Sequence, residues 1–259
     1  MNLAAPAPAP QALRAGLWML GAVASFSSMA VAGRAVSFEL DTFEIMMYRS
    51  IVGFVLVLGV ARLTGQIDTI TTRSPRTHII RNLCHFTGQN LWFYAITVIP
   101  LAQVFALEFT APLWVLILSP LVLGERLTGT RALAAVIGFA GILIVARPSP
   151  ETLNMGTIAA AAAAIGFAGS IGYDGDIALP SLTSAPWLVL IGCAGLLAHF
   201  CLTTALSLAP ATLVTPVDFL RLPVIAIIGI LVYAEPVDAF VIVGAIVIFG
   251  ANYLNLWRE

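Results

Sequence analysis

Stretches of about twenty predominantly apolar residues recur along this chain. They lie near residues 15–34, 44–63, 79–98, 102–123, 131–147, 155–173, 185–206, 211–233 and 237–257. A hydrocarbon core about 30 Å thick is crossed by about 20 such residues in a helix, so each run has spanning length. The runs are continuous and lack period-two alternation, which excludes a β-barrel. Composition agrees: 60% of the residues are hydrophobic and 10% charged, with a mean hydropathy of +0.99. A soluble domain carries about 25% charged side chains. The sequence therefore reads as an all-α polytopic membrane protein with nine recognisable transmembrane helices.

All 12 basic residues are arginines, and they balance 13 acids to a net charge of −1. That leaves no bulk charge for nucleic acid and no lysine for a Schiff base or a P-loop. Cys84, Cys193 and Cys201 lie in apolar stretches without a CxxC spacing and read as small buried hydrophobes. With the N-terminus cytoplasmic, the inner segments hold Arg14, Arg62, Arg73, Arg76, Arg81, Arg126 and Arg131. The outer ones hold only Arg34 and Arg147. The positive-inside rule therefore puts the N-terminus in the cytoplasm, and the inner (plasma) membrane is the expected location. Residues 1–13, rich in Ala and Pro, are expected to be extended and disordered. Nine spans would leave Arg258 outside, whereas ten would bring it inside.

A shift of 110 residues aligns two segments. Ala95-Ile-Thr-Val-Ile-Pro100, Glu108 and Gly124-Glu125 meet Ala205-Leu-Ser-Leu-Ala-Pro210, Asp218 and Ala234-Glu235. Each copy has a Pro turn, a helix bearing one acid, and a Glu-ended turn, as in transporters built from duplicated halves.

The residues here carry a family resemblance. Ile99-Pro-Leu-Ala-Gln-Val, Leu123-Gly-Glu-Arg-Leu-Thr and Gly138-Phe-Ala-Gly-Ile-Leu-Ile-Val resemble the first repeat of EamA-type proteins, in the drug/metabolite transporter superfamily. Leu208-Ala-Pro-Ala-Thr-Leu-Val-Thr-Pro-Val-Asp-Phe-Leu-Arg-Leu-Pro and Ala234-Glu-Pro are similar to the second, and Tyr48-Arg49 matches a common pattern. The resemblance implies two inverted five-helix repeats, here 14–147 and a shortened 148–259, with both termini cytoplasmic. It also implies amino acids, amines, nucleoside-like metabolites or drugs as substrates. The chain departs from this pattern after the run 155–173. It passes through Tyr173-Asp-Gly-Asp directly to Pro180, so the family's seventh helix is missing. Residues 174–184 are too short to replace it. Either the second half inserts upside-down or a stretch has been omitted, and only omission keeps the repeat-to-repeat packing.

Polar groups inside spans cost about 2.5–3.5 kcal/mol at the centre on insertion scales, so each needs a reason. Arg81, His85, Gln89 and Trp92 or Phe93 share one helical face, with Asn90 and Tyr94 beside it. Such a stripe suits a polar metabolite with an anionic or planar part, although Arg81 and His85 reaching for the interface is the plainer explanation. Gln103 precedes Glu108, and Pro112 and Pro120 follow it. A desolvated Glu108 is expected to titrate upward and exchange protons, unless it pairs with an arginine such as Arg49. Asp218 stands three residues before Arg221, between Pro216 and Pro223, either as a self-neutralising pair or as a ligand contact. His199 and Thr203 form a further small polar face. Glu125 and Glu235 read as caps, Gly138 with Gly141 and Gly166 with Gly169 as close-packing pairs, and Asp174-Gly-Asp176 as a turn.

The candidate substrate contacts are Arg49, His85, Gln89, Trp92, Tyr94, Gln103, Glu108, His199, Asp218 and Arg221. Neither a metal site nor a cofactor motif is present, and no HExxH, GxSxG or Walker A arrangement occurs. The expected function is secondary transport of a small organic metabolite by alternating access, with proton coupling or facilitated passage both compatible. A membrane-embedded enzyme, using Cys84 and His85, and a transport-defective or regulatory protein stay open. The small-molecule substrate and the lipid bilayer are the expected partners, with room for a homodimer.

Overall fold

The computed structural model describes residues 9–67, 75–111, 113–114, 129–146, 178–236 and 238–257, and the regular structure among them is helical. In chain order the helices are α1 (Ala9–Val36), α2 (Thr42–Leu63), α3 (Pro75–Val98), α4 (Leu101–Glu108) and α5 (Gly129–Ala146). They are followed by α6 (Ala185–Leu208), α7 (Ala211–Asp218), α8 (Arg221–Tyr233) and α9 (Ala239–Trp257). Four stretches among the described residues have the length and hydropathy to cross a bilayer: Gln11–Val36, Thr42–Leu63, Ala185–Leu208 and Pro216–Tyr233. The run 155–173, Arg126, Glu125, Pro112, Pro120, Gly166, Gly169, Asp174 and Asp176 lie outside the described residues, as does the side chain of Arg81.

Three differences from the sequence reading have local causes. Helix begins at Ala9, inside the Ala-Pro segment expected to be extended to residue 13; Pro10 falls in the first turn, where its missing N–H costs nothing. The runs 102–123 and 211–233, expected as continuous helices, are interrupted. Helix α4 stops at Glu108, and α7 stops at Asp218 before α8 resumes at Arg221. At both stops the ladder tightens to i→i−3 bonds, Thr110 N–H to the Leu107 carbonyl at 3.0 Å and Leu220 N–H to Val217 at 3.1 Å. Prolines four and five residues beyond each acid have no N–H with which to continue the ladder. The two interrupted segments are built alike: a Pro N-cap (Pro100, Pro210), eight helical residues, an acid at the end and then a phenylalanine.

Helix α1 runs antiparallel to α6, with Trp18 edge-on to Phe200 and Gly21 against Cys201. Helices α5 and α9 approach backbone to backbone. A Cβ added to Gly141 would stand 3.1 Å from the Gly244 carbonyl, and one added to Gly244 would stand 3.0 Å from that of Gly141. Lipid is as apolar as leucine, so this close van der Waals approach is what holds such helices together. Contacts also fix which helix ends lie together. The end of α1 is tied by Arg34 to Glu235, which precedes α9, and Glu235 holds the start of α4 at Leu101. Val145 of α5 meets Gly244 of α9. Ser181, before α6, bonds Glu39, just after α1. Hence α5 stops at the same end at which α6 starts, and α9 finishes at the end where α1 begins.

Helix α2 is capped at that shared end by a capping box, Asp41 accepting from the Glu44 N–H at 2.8 Å and Glu44 from the Asp41 N–H at 2.8 Å. Glu44 also accepts from Ala178 N–H, while Tyr48 donates to the Ala178 carbonyl at 2.8 Å. The exposed Glu39 carboxyl is held below its ordinary value by the bonds from the Ser181 hydroxyl and backbone N–H. Because these bonds favour the charged form, their stabilisation is present above the ordinary carboxylate pKa and is lost as pH falls through the lower folded value. Melting curves of Glu39→Gln and the parent chain should therefore differ at neutral pH and converge in acid. A gap that persists in acid would assign the effect to packing.

Candidate functional site

One arginine gathers the acids of both matched segments. Arg221, 4% exposed at the start of α8, donates Nη1 to Glu108 Oε1 at 2.9 Å. It also donates Nη2 to Asp218 Oδ2 at 2.5 Å and Nε to Oδ1 at 3.2 Å. The second Glu108 oxygen accepts from the Trp92 indole N–H at 3.0 Å. Aromatic faces enclose the guanidinium: Phe26 at 4.5 Å, Phe109 at 5.0 Å and Phe105 at 5.6 Å from ring centre. Planar, weakly hydrated arginine suits such stacking. The phenylalanines that follow the two acids, Phe109 and Phe219, stack on each other at 4.5 Å. Two carboxylates and one guanidinium leave one negative charge in excess among the described groups.

A second cluster lies between α2, α3 and α6. Here a cavity of about 520 Å³ is lined by Arg49, Ser50 and Phe54 of α2, Asn82, His85 and Phe86 of α3, and Gly192, Gly195 and His199 of α6, among others. Gly192 admits Val52, and a Cβ on Gly195 would stand 3.2 Å from the Arg49 Nη2. Arg49 donates Nη1 to the Gln89 amide oxygen at 2.8 Å and to the Met46 sulfur at 3.4 Å. The rings of His85 and His199 meet edge-on at 6.1 Å. Phe26 joins the two clusters, since its ring packs against His199 at 5.6 Å as well as on Arg221.

Buried charge held on interrupted helices is how solute carriers build a site, and sequence relatives point the same way. A model described as the EamA-like transporter family matches residues 13–147. The chain belongs to the EamA-like transporter family. Similar proteins include an S-adenosylmethionine uptake transporter of Rickettsia bellii, 26% identical over 271 residues, covering 93% of each chain. A riboflavin transporter of Brucella anthropi is 30% identical over 228 residues, 73% of this chain and 80% of its own. Another of Vibrio cholerae is 25% identical over 280 residues, 95% of this chain and 94% of its own. Transport, not enzymatic turnover, is the activity of this family, and the chain is a multi-pass membrane protein.

In this EamA-family chain the α3 stripe divides. His85 and Gln89 serve the cavity, Gln89 through Arg49, whereas Trp92 is 8% exposed and holds Glu108. Glu108 pairs with Arg221 rather than with Arg49, which lies on the far side of α3's polar face against α6. Tyr94 and Gln103, expected as lining, do not border that cavity. Thr203 turns back to its own helix, bonding the His199 carbonyl at 2.8 Å. Glu235 does act as a cap, but on α4: both its oxygens accept from Leu101 N–H, at 3.2 and 3.1 Å. Left-handed Ala234, φ 52°, turns Glu235 back toward Gly229 for that purpose. Arg34 and Phe26 have contacts that the sequence reading missed. A phenylalanine within an apolar helix carries no signal, but an arginine at a helix end five residues before Glu39 does.

Proposed function

We propose that this EamA-family chain is a secondary carrier of a small organic metabolite, working by alternating access with its N-terminus cytoplasmic in the inner membrane. The observation that carries this reading is the sharing of Arg221 between Glu108 and Asp218, one acid from each matched segment. A guanidinium claimed by two carboxylates has two discrete partners, and a proton arriving on Glu108 would release it from Arg221 and leave the Asp218 pair intact. That gives a two-state element which a proton and a solute can bias in opposite directions.

The duplication and its shortened second copy are part of the proposal. The Phe109–Phe219 stack brings equivalent positions of the two copies together, as a local two-fold relation would. Helix α6 starts where α5 stops, which favours an omitted helix over an upside-down second half. The relatives' alignments run over 271 and 280 positions, more than the 259 residues of this chain, so they contain residues without a counterpart here. The end carrying Arg34 and Glu235 then faces outward and Trp257 lies on the cytoplasmic side.

For the substrate, the S-adenosylmethionine and riboflavin of the relatives both present a planar heteroaromatic ring. Solutes of that nucleoside-like kind suit a cavity bordered by Phe54, Phe86 and two imidazoles. Uptake of labelled S-adenosylmethionine and riboflavin into vesicles containing the purified protein tests the reading. Saturable flux that falls about tenfold in Glu108→Gln, some 1.4 kcal/mol, is the expected result. No flux of either solute by the folded parent chain would favour a transport-defective protein.

A further inference from the structure

The Arg49 cavity sets a guanidinium in a lining that carries no carboxylate among the described residues. We infer that it is a carboxylate-binding subsite, in which the carboxylate of a soluble organic solute docks on the guanidinium of Arg49 between α2, α3 and α6. The inference deepens the carrier reading and rests on it for the direction of transport, but binding itself stands independently.

Three observations support it. First, Arg49 sits within a span, where an arginine is normally neutralised. Among the described residues its only hydrogen-bond acceptors are neutral, the Gln89 amide oxygen and the Met46 sulfur, and both lie on Nη1. Among the described residues Nε and Nη2 donate to no acceptor. Those two N–H groups form the side of the guanidinium fork that matches the two oxygens of a carboxylate.

Second, the sequence lets the guanidinium lie close against α6 at the edge of the cavity. Gly195 presents no side chain to Nε and Nη2, which lie 3.3 and 3.2 Å from where its Cβ would be. Opposite it, α3 keeps Gln89 bonded to Nη1, so the fork is held in one orientation before any ligand arrives. Pre-ordering of this kind lowers the entropic cost of binding.

Third, the described lining holds one guanidinium, two imidazoles, Asn82 and Ser50, and no carboxylate. No carboxylate of the described lining offsets Arg49, so an amine that carries no carboxylate of its own is disfavoured. A single fixed positive charge suits a monoanion better than a dianionic phosphate, which would need a second cation at neutral pH. The cavity of about 520 Å³ has the volume of a small-molecule site. Its aromatic and aliphatic lining, Phe54, Phe86, Val57 and Leu196, would take the ligand's apolar body.

The test uses the full chain in nanodiscs of zwitterionic lipid and reads thermal stabilisation by benzoate and phenylpropionate, each against its primary amide. Carboxylates should raise the melting temperature with saturation while the amides do not. Arg49→Gln should abolish that selectivity, and Arg49→Lys should weaken it by about tenfold in half-saturating concentration, since a point charge lacks the fork. Gly195→Ala, which crowds Nε and Nη2, should weaken it too and serves if Arg49→Gln does not fold. Equal stabilisation by acid and amide, or selectivity that survives in the Arg49 variants, overturns the proposal. So does an Arg49-dependent shift produced by phosphatidylglycerol in the disc but not by the soluble acids, which would make the site one for lipid headgroups. Carboxylate selectivity without vesicle flux would keep the subsite and reject the carrier.

Discussion

Arg221→Gln should be the most damaging single substitution in the chain, losing about 3–5 kcal/mol of stability along with transport. The residue is 4% exposed and is the shared partner of Glu108 and Asp218, so its loss leaves two carboxylates facing each other beneath aromatic rings that no longer stack on a cation. Removing one carboxylate is milder: Glu108→Gln leaves Arg221 paired with Asp218 through two nitrogens. The two effects separate in melting curves and in gel filtration of the detergent-purified protein. Adding Glu108→Gln and Asp218→Asn to Arg221→Gln should recover most of the stability without transport, because neutral groups of the same shape replace uncompensated charge. If the triple variant were no more stable than Arg221→Gln, packing of the arginine against Phe26, Phe105 and Phe109 would be the larger contribution.

Arg34→Ala is expected to cost a similar amount, about 3–5 kcal/mol, for a different reason. Arg34 donates to the carbonyls of Ile96 at 2.5 Å and Ile99 at 2.6 Å and to Glu235, and its guanidinium lies 5.0 Å from the Tyr233 ring centre. It thereby ties the end of α1 to the last carbonyls of α3 and to the carboxylate that holds the first N–H of α4. Without it, two carbonyls and a charge are left without their donor near the bundle end. Arg34→Lys should rescue little, because an ammonium cannot reach three acceptors from one plane. Thermal denaturation of the two variants measures this. A lysine variant as stable as the parent would show that charge alone suffices.

The fold class was legible in the sequence because spanning runs are a coarse signal. The helix interruptions were less so. An unbroken apolar run hides them, and only Pro112 and Pro223, each a few residues beyond an acid, hinted at them. In the site, the face of α3 was readable from spacing: His85 borders the cavity, Gln89 accepts from Arg49 and Trp92 donates to Glu108. Their division between two clusters was not, since it depends on where Arg49 and Glu108 stand in space. Glu108 and Asp218 were readable as matching positions of the two aligned segments, yet their common partner was obscured. Asp218 lies three residues before Arg221 and suggested a closed pair, while the Glu108 contact spans 113 positions. Arg34 and Glu235, 201 positions apart, read separately as a loop charge and a cap.

The paired interruptions after Glu108 and Asp218 have a mechanical consequence. A helix resists bending because bending strains its own ladder, and at these two places the ladder is already interrupted. Rotation there breaks few further main-chain bonds, so both segments own a ready hinge. The stacked rings of Phe109 and Phe219 clasp one interruption to the other, so the two segments are expected to tilt together.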